Sequence, residues 1–361
     1  MTQKPLPKIQ NSKFRIQNSI IPGEDFWSRQ TNAQTEVFEF SPFGIPTAIT
    51  TNQPEVLAAA RLSAGRFSRA LEERPLSFSP GALQRFEAIS LKIIVEPGPN
   101  TPIPANLPEQ LSYAGVDEWI TLSAGAWGHA FANLRSREAV LILSSALAAE
   151  IRLVSRYFVD HYLLNFILSE WAMLHASCVL SADEQRLIVM VAPHNTGKST
   201  TALHLLRAGY HFLADGMVLL RQTEDGFMIG GYPIGEVKLR DDVLAMFPEY
   251  SGQSVQVREH QKTVVDLRQT HPDRLAETLL NPASIHLCFV ERADSSQTRV
   301  ASLTPAQAQP LLVENTVFWD EPQHLESNSV TLQNFIRVAK LYRLRLGSDS
   351  TGIIATINKL T

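Results

Sequence analysis

Cysteine is nearly missing from this chain: 361 residues hold two, Cys178 and Cys288, each inside an apolar run (ASCVL and HLCFV). Thiols in such surroundings behave as small hydrophobes, which argues against a zinc site and for a reducing compartment. Dense Lys/Arg runs are missing as well, and the formal net charge is -4, so no nucleic-acid footprint is expected. No long apolar run is free of charge. The longest, residues 139–177, is broken by Glu150, Arg152, Arg156, Asp160, His161 and Glu170, too many ionisable groups for a membrane span. The opening MTQKPLPKIQNSKFRIQNSI has basic residues but no apolar segment behind them, so no signal peptide is expected and the location read from the sequence is cytoplasmic. What the chain does contain, 44% hydrophobic and 19% charged residues over a length sufficient for two domains, predicts an ordinary globular core.

Along the chain, a polar start with Pro5, Pro7, Pro22 and Pro42 leads into one strand at TEVFEF. Apolar runs at PTAITTN and LKIIVEP alternate with a helical stretch, PEVLAAARLSAGRFSRALEE, and a Pro-rich loop, EPGPNTPIPANLP. These predict an α/β domain over residues 1–140. Leu143, Leu147, Ile151, Val154, Phe158, Tyr162 and Phe166 recur at three- and four-residue steps, which predicts linking helices over 141–172, with Trp171 and the other aromatics as core. From Met173 the pattern becomes strand, turn, strand (MLHASCVL, SADEQ, RLIVMVA), loop, helix (STTALHLLRAG) and strand (YHFLADGMVLL). Short strands follow through FMIGGYPIGEVKL, KTVVDL and SIHLCFVER, with a helix near DDVLAMFPEY. The end reads as helices at PAQAQPLLVEN and SNSVTLQNFIRVAKLYRLRL, then a strand or helix at GIIATINKL.

The most informative segment lies between the run RLIVMV and the helix TALHLLRAG. Ala192, Pro193, His194, Asn195, Thr196, Gly197, Lys198 and Ser199 fit the P-loop pattern G-x-x-x-x-G-K-[ST] except at the first position, with Thr200 following. A strand feeding such a loop into a helix turns backbone N–H groups and the positive end of the helix dipole toward a β-phosphate. Lys198 would then bridge β- and γ-phosphates and Ser199 would hold Mg²⁺. The alternative is a plain strand-to-helix turn with a capping Ser/Thr run. Were the φ of Ala192 positive, its Cβ would cost on the order of 1 kcal/mol.

Leu174-His175-Ala176, a hairpin around residues 181–184, the loop at 192–199, Ala208-Gly209 and Leu213-Ala214-Asp215-Gly216 follow one another in a telling order. That order resembles the C-terminal catalytic domain of HPr kinase/phosphorylase and the HPr-kinase-related serine kinases. The match covers roughly 173–220 and extends loosely to about 291. It implies a P-loop-kinase-like mixed β-sheet flanked by helices over 173–361, separate from the N-terminal α/β domain, with ATP and Mg²⁺ as cofactors. The partner it implies is a small protein or peptide phosphorylated on serine; relatives are often oligomeric, which leaves a homo-oligomer open.

By the same resemblance, His175 sits by the phosphates, either bonding the γ-phosphate or orienting the acceptor carboxylate. Asp215 takes the first place of an acidic pair that works on Mg²⁺ and the acceptor hydroxyl; the second place is Gly216. Glu236 adds to the metal shell and Lys262 reaches the phosphates. Each has a plainer alternative: a structural strand histidine, a turn-capping aspartate, a solvated strand face and an exposed lysine. Alternation places Glu236, Lys238 and Arg240 on one strand face, suited to an anion and a metal. Two functions follow: an ATP- and Mg²⁺-dependent serine kinase, or a nucleotide-binding sensor or scaffold with little or no catalysis. No apolar run ends in Asp-Glu, which disfavours a hydrolytic motor.

Overall fold

Short apolar runs with period-two alternation become two large β-sheets and one small one. The computed structural model describes residues 35–68, 88–99, 101–257, 260–315 and 322–360. The polar N-terminal start and the C-terminal end of the helical stretch PEVLAAARLSAGRFSRALEE lie outside the described residues.

The first sheet orders its strands β1 (Glu36–Phe40), β2 (Thr47–Thr51), β3 (Ile89–Glu96), β7 (Glu138–Ser144), β6 (Gly128–Asn133), β5 (Trp119–Ser123) and β4 (Ser112–Val116). Strands β2, β3 and β7 run parallel, and the others join antiparallel. Helix α1 (Pro54–Arg66) opens on a proline, whose missing N–H is no loss in a first turn. It packs with the helical residues 145–168 against the sheet, joining Ile49, Leu91 and Leu141 to Phe158, Tyr162 and Phe166 in one buried cluster.

The linking helix begins later than its periodicity suggests. Residues Glu138–Ser144 form β7, paired on one side with β3 and on the other with β6. A run such as AVLIL satisfies a buried strand and a buried helix equally, and pairing on both edges decides for the strand. Helix starts only at Ser145, where the Ser144 hydroxyl accepts from Leu147 N at 3.2 Å. It proceeds in short pieces, through a π-turn at Ser155–Val159, into α2 (Asp160–Leu168).

The second sheet orders β15 (Leu279–Leu280), β11 (Gly226–Ile234), β10 (His211–Thr223), β8 (Ala172–Leu180), β9 (Arg186–Val191), β16 (Ser284–Arg292), β18 (Lys340–Leu346) and β17 (Arg299–Ser302). It is mixed: β9, β16 and β18 are parallel, the remaining pairs antiparallel. Strand β9 is covered on both faces. Leu187, Val189 and Val191 share a cluster with helices α4 (Pro305–Asn315) and α5 (Pro322–Val338), while Ile188 and Met190 pack with α3 (Lys198–Arg207) and α6 (Ser350–Asn358). Double coverage explains its unbroken apolar sequence. The helix expected to run through AKLYRLRL stops at Val338, because the following residues complete the parallel pairing with β16 as β18.

A three-stranded sheet, β12 (Glu236–Leu239), β14 (His260–Asp266) and β13 (Gln253–Val257), follows the turn at Gly235, whose φ of 71° favours glycine. The two large sheets meet in a common core. Phe43 lies 5.5 Å from Trp171 and Phe67 4.7 Å from Tyr232, ring centre to ring centre, in the cluster that also holds Met173 and Leu219. Glu36–Thr361 form one compact unit. Among the described residues no helix is long and apolar enough to cross a membrane.

Candidate functional site

Strand β9 ends at Val191 and the chain turns through residues 192–197 into α3. The turn is made by positive φ at Asn195 (63°) and Gly197 (111°), residue types that accept that region. Ala192 is not among the positive-φ residues; it is 2% exposed and its methyl packs in the core beneath α3. Alanine in place of glycine therefore brings no backbone strain here. Gly197 provides no side-chain cap, leaving the first amides of α3 to the cavity that Gly197, Lys198, Ser199 and Thr200 help line.

Lys198 is 7% exposed, and its Nζ donates to the carbonyls of Ala192 (2.7 Å) and Pro193 (3.1 Å). Burial lowers its proton affinity, Lys262 lowers it further, and Asp215 opposes both. The Thr196 hydroxyl donates to Pro193 O at 2.8 Å, and Arg292 Nε donates to Thr196 O at 3.4 Å, bracing the loop from β16.

Strand β10 runs beside β8, which lies between it and β9, so Asp215 faces Ser177, which in turn faces Met190. Asp215 Oδ1 accepts from Ser199 Oγ at 2.9 Å and also from the Ser177 hydroxyl. Ser177 was not singled out from the sequence. Its signal was there: His175 and Ser177 are the polar pair, two residues apart, of an otherwise apolar strand, and so share a face. The next position, Gly216, has φ 145° beside a register irregularity between Ala214 and Met217. A Cβ there would lie 3.7 Å from Tyr232 O, so space is available while the backbone conformation disfavours any L side chain.

His175 sits across from Met217, and its ring lies 4.7 Å from that of His194 in the loop; both line the cavity. Lys262 lines it from β14. Lys238 of β12 and Arg240 just beyond its end line it, whereas Glu236 does not: its Oε1 lies 3.9 Å from Arg268 Nη2. Arg268 also binds Asp266 (Nε to Oδ1, 2.8 Å) and the Gly65 carbonyl at the end of α1. Burial lowers the Lys238 ammonium to about 8, with Arg156 and Lys262 adding to the effect and Glu236 and Asp215 opposing it.

The cavity encloses about 230 Å³. Its walls carry the cations Lys198, Lys238, Arg240, Lys262 and Arg292 against the carboxylates Asp215 and Asp242, the latter paired with Arg240 at 3.0 Å. A polyanion suits this excess of positive charge and the uncapped helix start. The hard oxygens of Ser199 and Asp215 suit Mg²⁺. Among the described residues no three His, Cys, Asp or Glu side chains cluster as a metal cage, and Mg²⁺ characteristically takes few protein ligands, completing its shell with phosphate and water. The residues present thus fit a magnesium–triphosphate, with Glu236 standing apart beside Arg268.

No family model matches the chain, and no curated protein matches it. Among solved structures, the HPr(Ser) kinase/phosphatase from Coxiella burnetii is similar over 52% of this chain and 88% of that chain, at 12% identity and a TM-score of 0.29. That is a distant structural relationship.

Proposed function

We propose that this chain is an ATP- and Mg²⁺-dependent kinase that phosphorylates a hydroxyl, the acceptor being a serine on a small protein or peptide. The observation that carries the reading is the hydrogen bond from Ser199 to Asp215 at the opening of α3, inside a cavity whose cations outnumber its carboxylates.

Bound ATP and Mg²⁺ supply the phosphoryl group and neutralise part of its charge. Lys198 exchanges two neutral carbonyl partners for phosphate oxygens, which favours its charged form. Ser199 and Asp215 would hold the metal. Two hydroxyl donors on one oxygen hold the Asp215 carboxylate in place at the opening of α3. Without a second carboxylate at Gly216, proton removal from the acceptor contributes less; that step is worth about 10²–10⁴-fold, whereas positioning and charge neutralisation supply most of the acceleration in phosphoryl transfer. His175 orients the acceptor from β8.

Gly216 also supports a second reading, a nucleotide sensor that binds without transferring. Calorimetric titration with ATP and Mg²⁺ of the wild type and Lys198→Ala, followed by γ-labelled ATP in cell lysate, separates the two. The kinase is expected to bind, to lose about ten-fold or more in affinity in the variant, and to label a protein only with Lys198 intact. Binding without labelling favours the sensor. No binding by the wild type sinks both.

A further inference from the structure

Arg292 lines the cavity from the side of the loop opposite Asp215. It closes β16, where alternation continues the face of Cys288 and Val290 that packs with α3. Glu291 turns to the other face and pairs with Arg343 (3.3 Å) and Arg345 (3.1 Å). Among the described residues no carboxylate comes within ion-pair distance of Arg292. Its guanidinium is tethered through Nε alone, which donates to Thr196 O at 3.4 Å, and Nη1 and Nη2 have no partner among the described residues.

The strand order gives the cavity two ends. Counting from β9, Asp215 lies two strands away on β10 in one direction, and Arg292 one strand away on β16 in the other. Strands β9 and β16 are parallel, with Val191 opposite Phe289, so Arg292 stands three residues further on, about 10 Å beyond the end of β9 and beside the loop. The neighbouring strand adjoins the loop too: a Cβ on Gly197 would lie 3.3 Å from Leu346, the register partner of Arg292. In a P-loop the lysine and the metal take the β- and γ-phosphates, so the Ser199–Asp215 end is the γ end. The nucleoside then leaves the loop toward β16. The apolar lining at the small sheet competes poorly for a base, since Leu239 is 1% exposed and offers it no face.

We infer that Arg292 forms the nucleoside subsite, its guanidinium stacking on the base of the bound nucleotide. This rests on the nucleotide-binding reading of the loop. Every base presents a π-face, and a planar guanidinium without a carboxylate partner is suited to cover it.

The test compares ATP with inorganic tripolyphosphate, which carries the phosphates without a base. Both are titrated with Mg²⁺ into the full chain by calorimetry, for the wild type, R292K and R292Q. Arg292 is exposed, so neither substitution disturbs the core, and thermal melting checks this. R292K keeps the charge and gives up the planar group; it is expected to bind ATP about five-fold or more weakly and tripolyphosphate within about two-fold of the wild type. In R292Q the loss for ATP should exceed the loss for tripolyphosphate by at least the same factor. Equal losses for the two ligands overturn the inference, since Arg292 would then serve the phosphates. Unchanged ATP affinity in both variants overturns it as well, and places the base elsewhere, against Val243 for one. Either result leaves the loop reading intact, whereas a wild type that binds no ATP removes that reading and the subsite together.

Discussion

Ser177 and Asp215 face each other across β8 and β10, and the serine hydroxyl donates to the same carboxylate oxygen that Ser199 reaches from the start of α3. The sheet and the loop are thereby tied at one atom.

Replacing Ser177 by Ala removes a fully buried donor to a charged acceptor. The expected loss is about 1–3 kcal/mol of stability by urea unfolding. ATP affinity should weaken with Mg²⁺ present and change little without it; equal weakening in both conditions would show that Ser177 acts on the fold alone.

Ala192→Gly restores the usual first residue of the loop pattern, yet should gain nothing. The residue has no positive φ to relieve, and its buried methyl would be lost from the core. A destabilisation of about 1 kcal/mol with unchanged ATP affinity is expected from paired melting and titration experiments. Tighter ATP binding would mean that the alanine does constrain the loop.

Gly216→Asp, which rebuilds the acidic pair on paper, should destabilise the protein by about 1–3 kcal/mol, and Gly216→Ala by a similar amount. The cost lies in the backbone at φ 145°, not in the carboxylate, so the two variants should melt together. An aspartate variant as stable as wild type would refute this account.

The loop with its flanking strand and helix was legible because each part depends on local spacing: an apolar run, a glycine where φ is positive, a Lys-Ser pair at a helix start. Asp215 entered through the resemblance, and its bond to Ser199 depends on the sheet register. Ser177 and Arg292 were not legible, since one takes its role from a cross-strand register and the other from a strand far along the chain. Alternation along β12 correctly put Glu236, Lys238 and Arg240 on one side, but could not tell that Arg268 would draw Glu236 off. Strands β7 and β18 were hidden for a different reason. Their apolar content suits a helix as well, and only neighbours distant in sequence decide the matter.

Lys238 makes the charge lining the cavity pH-dependent. Its ammonium loses its proton near 8 in the folded protein, against 10.5 ordinarily. ATP affinity should therefore fall as pH rises through about 8, and Lys238→Arg, which stays charged, should flatten the profile. In stability the sign is opposite. From about pH 8 up to the unfolded value the unfolded chain holds the extra proton, so the wild type gains stability with rising pH relative to Lys238→Met. Chemical denaturation at several pH values checks this.

Asp160→Ala leaves Arg66 buried without its carboxylate and should cost about 3–5 kcal/mol, read as a fall in the urea midpoint.

The contact of Phe43 with Trp171 and of Phe67 with Tyr232 means that the half carrying the 192–199 loop is not a transferable module. Cutting the chain ahead of Ala172 would strip Met173, Leu219 and Tyr232 of their apolar neighbours and leave a greasy face in water, so the excised half should aggregate more readily than the whole chain. Changes at the cavity must then arise by substitution within one inseparable body, and not by exchange of parts.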